Sequence, residues 1–161
     1  MPSVLFVCTA NRFRSPLAAA FFQRMLGSSA RTSPWSVDSA GTWTSTGLQV
    51  LPEALLIARR QGFDLSGHRS KLVSEALLST QDLILVMESG QREALQNEFP
   101  LIIDRIYLLS HVTEGRFYDI PDPIDSMEAM MEVGENIHEL VKTGFGNIYV
   151  LAIHLHATRQ N

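Results

Sequence analysis

The stretch Val4-Leu5-Phe6-Val7-Cys8-Thr9-Ala10-Asn11-Arg12-Phe13-Arg14-Ser15-Pro16 decides the fold. Val4 to Val7 is an unbroken apolar run, the pattern of a strand buried on both faces of a parallel sheet. Ser15-Pro16 reads as a helix start, with Ser15 as N-cap and Pro16 at the first helical position. Between them, Thr9 to Phe13 separate Cys8 from Arg14. A loop of this length lets the backbone curl until successive N–H groups converge on one point and form an anion nest. The helix that follows adds its positive dipole end to the same point. Arg14 can close the ring with two parallel hydrogen bonds to a tetrahedral oxyanion. The same field stabilises a thiolate at Cys8 and makes it a nucleophile, with Ser15 placed to donate toward the sulfur. A cysteine that merely fills space at a strand end is the plainer reading. It explains neither the arginine six positions on nor the helix start behind it.

Outward from this loop, strands and helices alternate. Ala18, Phe21, Phe22 and Met25 recur at i, i+3, i+4 and i+7, which predicts an amphipathic helix ending near Gly27. Trp35 to Ser39 reads as a second strand, closed by an Ala40-Gly41 turn. A helix from about Leu48 to Gln61 carries Leu51, Leu55 and Ala58 on one face. Leu83 to Met87 and Ile106 to Leu109 are two more apolar runs, with short helical patterns at Val73 to Leu78 and Gln91 to Asn97. The last strong helix is expected from about Ser126 to Lys142, with Met127, Met130, Met131, Gly134, Ile137 and Val141 striped toward the core. This alternation predicts an α/β fold: a central parallel sheet of about four strands, helices on both faces, and the anion loop after the first strand. In such sheets ligands sit outside the carboxyl ends of the strands, where Cys8 falls. No repeat or linker interrupts the chain, so residues 1–161 read as one domain. The apolar segment from about 145 is left open as strand, helix or interface. His154-x-His156 would share one face of a strand, which is too few ligands to argue for a metal.

Composition narrows the function. At 45% hydrophobic, the 161 residues can bury a sizeable core. Lys and Arg number 13 against 17 Asp and Glu, and the net charge of −4 argues against a general nucleic-acid binder. A single cysteine excludes an internal disulfide and a CxxC metal or redox pair. No apolar run approaches a bilayer span, and the first residues lack the basic and long apolar regions of a secretory signal. A cytoplasmic protein without membrane or nucleic-acid partners is therefore expected.

The loop, together with Asp38-Ser39-Ala40-Gly41-Thr42, Ser66-Gly67-His68-Arg69-Ser70-Lys71, Asp82-Leu83-Ile84-Leu85-Val86-Met87 and Asp122-Pro123, resembles the low-molecular-weight protein tyrosine phosphatases over most of the chain. The resemblance implies a phosphomonoester hydrolase, without cofactor or metal, that forms a phosphocysteine on Cys8. Its substrates would be a phosphorylated protein or a small phosphomonoester, and inorganic phosphate or other oxyanions would inhibit it. It implies that Thr9, Ala10, Asn11, Arg12 and Phe13 supply the phosphate loop and that Arg14 clamps the equatorial oxygens. Asn11 would take a left-handed conformation, held by Ser15, Ser39 and His68. Asp122 matches the proton donor of the first step and base of the second; as a proline-flanked surface Asp it also fits a simple turn, and Asp119 and Asp125 are its rivals.

Departures from the family pattern fall at the loop and its mouth. Ala10 stands where glycine is usual, and Phe13 where a second cysteine is frequent. Arg12 occupies a position often held by Ile or Thr. Ile124 and Asp125 replace two tyrosines that wall the phenol pocket, which leaves Trp43 as a candidate wall. Arg12 would attract acidic residues flanking a phosphosite and repel the guanidinium of phosphoarginine. Two other functions fit the loop. Arsenate reduction, in its thioredoxin-coupled form, needs further cysteines that this chain lacks. A non-catalytic phosphoprotein-binding module would need neither the thiol nor the acid.

Overall fold

The computed structural model describes residues 1–29, 33–123 and 125–161. Four parallel strands, β1 (Ser3–Cys8), β2 (Ser36–Gly41), β3 (Leu83–Val86) and β4 (Ile106–Leu108), lie in the order β2-β1-β3-β4. The helices are α1 (Arg14–Ser28), α2 (Pro52–Arg60), α3 (Glu75–Ser79), α4 (Ser89–Glu98), α5 (Leu109–Glu114) and α6 (Met127–Arg159), with a 3-10 turn over Pro100–Arg105. The alternation of β1 explains the layers. Val4, Phe6 and Cys8 face one apolar cluster, built with α1, α2, α5 and α6. Leu5 and Val7 face a second, built with α3, α4 and the 3-10 turn. Every residue of β1 is buried, as the apolar run predicts. Helices cover both faces.

Topology places the loop. From β1 the chain first builds β2 on one side and then β3 on the other. The carboxyl end of β1 is therefore the switch point, where the flanking connections diverge and leave a crevice. Cys8 is the last residue of that strand.

Several element ends differ from the sequence reading. Helix α1 begins at Arg14, with Phe13 at the N-cap and no side-chain cap. Ser15 is thus inside the first turn rather than at the N-cap, and its hydroxyl is used at the sulfur instead. Pro16 still fits, because first-turn amides need no helical acceptor. Helix α2 begins at Pro52, not near residue 48, because Leu51 is extended as its N-cap (ψ 148°). The 3-10 turn and α5 are too short to carry a periodic signal. The largest difference is α6, whose 33 residues absorb the whole apolar segment beyond Lys142. Two of its glycines are close-packing positions rather than breaks. A Cβ at Gly144 would lie 2.4 Å from the Thr113 side chain, and one at Gly134 2.7 Å from Ile57. Met130 is buried, but Met127 is exposed at the first turn and leaves the expected stripe. His154 and His156 lie on this helix, about 200° apart, so they do not share a face. No described helix is long and apolar enough to cross a membrane.

Candidate active site

The loop after β1 is held from outside through its carbonyls. Cys8 O accepts from Thr42 N (2.9 Å), Thr9 O from Trp43 N (3.0 Å), Arg12 O from Leu51 N (2.9 Å) and Phe13 O from Leu17 N (3.2 Å). Asn11 O accepts from His68 Nε2 (2.8 Å), which fixes the protonated nitrogen of that ring. Among the described residues, the amides of Thr9, Ala10, Arg12 and Phe13 have no acceptor. Carbonyls engaged outward and amides unspent is the arrangement of an anion nest. Glycine is required at position 41, since a Cβ there would sit 2.5 Å from the Thr9 carbonyl oxygen.

Asn11 is the pivot. It is the one described non-glycine residue with positive φ (57°). Its Nδ2 donates to Ser15 Oγ and Ser39 Oγ, both at 2.9 Å, and its Oδ1 accepts from Lys71 N. Asn11 N–H donates to Cys8 Sγ (3.3 Å), and Ser15 Oγ lies 3.0 Å from the same sulfur. Ser15, Ser39 and His68 thus meet at Asn11. Lys71 also pairs with Asp38, one residue before Ser39. Burial pushes the His68 pKa below its ordinary value; its bond to the Asn11 carbonyl opposes that only in part, and Lys71 adds to the depression.

Arg14 is 2% exposed and paired with Glu88 (2.9 Å). Its Nη1 also donates to Ile120 O (2.8 Å), and Nη2 has a long contact of 3.5 Å with Thr9 Oγ1. Both Nη1 protons are spent, and the Nε edge is left for a ligand. Glu88 in turn accepts from Gln91 Nε2, which reaches Thr9 Oγ1 as well. Glu88 and Gln91 were missed in the sequence. The signal available was position: they immediately follow β3, whose carboxyl end adjoins that of β1.

The three acids separate by environment. Asp119 accepts from Ser89 N (2.8 Å) and from Ser89 Oγ, so its carboxylate is occupied at the start of α4. Ser110 clasps Tyr118 through both its backbone N and O, and Ile120 N donates to Met87 O (2.9 Å). These bonds anchor the loop as far as Ile120, one residue short of Pro121-Asp122-Pro123. Asp122 and Asp125 are exposed, and neither has a hydrogen-bond partner among the described residues. Ile124, expected at the rim, lies outside the described residues. Trp43 is 84% exposed beside the loop, so its ring walls nothing in this structure. Arg12 donates from Nε to Gln49 O (2.7 Å), which fixes its guanidinium against the 49–51 segment. Among the described residues, no group of three or more His, Cys, Asp or Glu is placed to hold a metal ion.

Comparison with known proteins gives the family and the fold. A low molecular weight protein-tyrosine-phosphatase of Bacillus subtilis, YfkJ, is 31% identical over 148 residues, covering 89% of this chain and 91% of that protein. The YwlE arginine phosphatase from Geobacillus stearothermophilus superposes with a TM-score of 0.81 at 25% identity, covering 99% of this chain and 96% of the other. Vibrio vulnificus Wzb in complex with benzylphosphonate gives a TM-score of 0.76 at 31% identity, over 88% and 94% of the two chains. The profile described as low molecular weight phosphotyrosine protein phosphatase matches residues 3–149, and the chain belongs to that family.

Proposed function

We propose that this chain hydrolyses phosphomonoesters on proteins through a phosphocysteine at Cys8. The observation that carries this reading is the set of unspent loop amides and the free edge of a buried Arg14 around one sulfur. In the first step the Cys8 thiolate attacks phosphorus. A P–S bond forms, the P–O bond to the leaving group breaks, and Asp122 gives its proton to the departing oxygen. The loop amides and the Nε edge of Arg14 hold the equatorial oxygens, where charge accumulates. In the second step Asp122 takes a proton from water as it attacks phosphorus, the S–P bond breaks, and phosphate leaves. Asn11 N–H and Ser15 Oγ keep the thiolate in place as nucleophile and as leaving group. Ser39 and His68 act by holding Asn11.

The substrate side rests on Arg12. Its Nε is bound to Gln49 O, and its Nη groups have no partner among the described residues. A cation fixed on that side of the loop favours acidic residues flanking the phosphosite and opposes the guanidinium of phosphoarginine. The arsenate reading gains nothing, since Cys8 is the chain's one cysteine.

A release assay tests both parts. With an aryl phosphate, Cys8→Ser loses turnover by at least about 10³-fold, while inorganic phosphate still binds, because the amides and Arg14 do not depend on the thiol. Turnover near wild type in that variant removes the phosphocysteine. Phosphotyrosine peptides with acidic flanks should be released faster than basic ones at low salt, with the gap closing as salt rises. Faster release from phosphoarginine than from phosphotyrosine overturns the role given to Arg12.

A further inference from the structure

A cavity of about 460 Å³ lies away from the loop, between α3, α4 and the 3-10 turn. Its floor is Leu78 and Ile102, which are buried in the second apolar cluster, with Phe99 packed against the same cluster. Its lip is Leu101, 86% exposed, and the neighbouring Ile103 is 46% exposed. An apolar floor continuous with the core, opening through an apolar lip, is the form of a site that takes apolar side chains.

The charges around it have one sign left over. Glu75 and Glu98 line the cavity, and neither has a hydrogen-bond or ion-pair partner among the described residues. The cation on the wall, Arg105, has its Nη1 held by the neutral carbonyls of Ser79 (3.2 Å) and Gln81 (3.1 Å), which fix it in place and leave its charge, so the two carboxylates outnumber it by one. Nearby Arg159 is likewise engaged, by Ser79 O, Thr80 O and Asp82. The cavity therefore offers two unpaired carboxylates beside an apolar floor. Its position adds a constraint. Ser79 lies four residues before the amino end of β3 and Arg105 immediately before that of β4, whereas Cys8 is at the carboxyl end of β1. Anything bound there leaves the catalytic mouth open.

We propose that this groove docks a short partner segment that carries apolar anchors flanked by lysine or arginine. The apolar side chains enter over Leu78 and Ile102, and the flanking cations meet Glu75 and Glu98. Such a site recruits a protein by a sequence separate from its phosphosite.

The test titrates the full chain, labelled with ¹⁵N, with two fluorescein-tagged peptides. Both have leucines at i, i+3, i+4 and i+7; one has lysines between them and the other glutamates. The expected result is tenfold or more tighter binding of the lysine peptide, with amide shifts confined to 75–79 and 98–105. Leu101→Glu is the deciding variant, since its side chain is already in solvent and the fold does not depend on it. It adds negative charge, so attraction by charge alone would strengthen; docking in the groove predicts a loss of fivefold or more. Its turnover of a small aryl phosphate should match wild type. Glu75→Gln with Glu98→Gln should reduce the lysine peptide's preference to near that of the glutamate peptide. Shifts centred elsewhere, equal binding of the two peptides, or unweakened binding by Leu101→Glu each overturn the proposal. So does concentration-dependent dimerisation that shifts the same amides without peptide, because the occupant is then a second copy of this chain.

Discussion

Among the described residues, each end of the sheet holds one buried charge, and the two are treated in opposite ways. At the carboxyl end the buried group is the cation: Arg14 is 2% exposed, its partner Glu88 31%. At the amino end it is the anion: Asp82 is 1% exposed, its partner Arg159 29%. Asp82 is saturated. It accepts from Ser3 N, Ser3 Oγ, His156 Nδ1 and Arg159 Nη1, and so ties the last turn of α6 to β1 and β3. Burial works against its charge, yet these donors outweigh it and hold its pKa below the ordinary value. Arg14 is left half-spent, with one edge committed to Glu88 and Ile120 and the other open. A saturated buried charge stabilises a fold; a half-spent one is fixed in place and still able to bind. The polar groups of the loop repeat the lesson: the carbonyls of Thr9, Asn11, Arg12 and Phe13 are engaged, while the amides of Thr9, Ala10, Arg12 and Phe13 are free among the described residues.

Breaking the open edge should have the largest effect. Arg14→Lys keeps the charge but loses the planar fork, and kcat with an aryl phosphate should fall by about 10²–10³ or more. Circular dichroism should remain that of the wild type. A loss under tenfold would mean that the free edge is not used. Next comes the proton donor. Asp122→Asn should slow a poor leaving group by about 10²–10⁴ and a nitrophenolate much less, whereas Asp119→Asn and Asp125→Asn show no such dependence. Asp119→Asn should instead loosen the start of α4. If Asp119 or Asp125 shows the leaving-group effect, the assignment of Asp122 fails.

The saturated end predicts the converse. Asp82→Asn should cost about 2–3 kcal/mol in chemical denaturation, because hydrogen bonds to a buried carboxylate are lost, while kcat of the folded protein stays within about twofold. A fall in kcat without a fall in stability would erase the contrast between the ends. The smallest effect is at His68, whose pKa is depressed by burial. The unfolded state takes up a proton more readily, so the stability tied to neutral His68 is full above the ordinary value of 6.5. It declines as the pH falls below that value toward the folded pKa. Denaturation at pH 5 and pH 8 should therefore differ less in His68→Asn than in the parent. An unchanged difference removes His68 as its source.

What could be read in advance followed distance along the chain. The loop, its strand and its helix are contiguous, and their residue types carry their own reasons: an apolar run for β1, an arginine for an oxyanion; the positive φ of Asn11 was implied by the family resemblance. Asn11's neighbours could be named through the family resemblance, though His68 meets its backbone carbonyl rather than its side chain. Glu88 and Gln91 were hidden because their purpose exists only once β3 lies beside β1. The end of α6 was hidden for another reason. Gly144 and Gly146 and its β-branched residues argue against a helix locally, yet Gly144 lets the helix pass against Thr113, and packing overrides propensity. Ser15 was given two roles in the sequence, N-cap and sulfur ligand. One hydroxyl serves one of them, and the helix starts without a side-chain cap.

Phe13 is buried in the loop, and the sulfur of Cys8 is the chain's one thiol. Hydrogen peroxide that reached the thiolate would pass one oxygen to the sulfur, leaving a sulfenic acid and releasing hydroxide. No second thiol exists within the molecule to condense with it. Recovery then depends on a thiol arriving from solution through the same mouth that admits substrate, and further oxidation to the sulfinic acid competes with that arrival. Phosphate held by the loop would cover the sulfur, and an inhibitor of turnover would then double as its protection against oxidative loss.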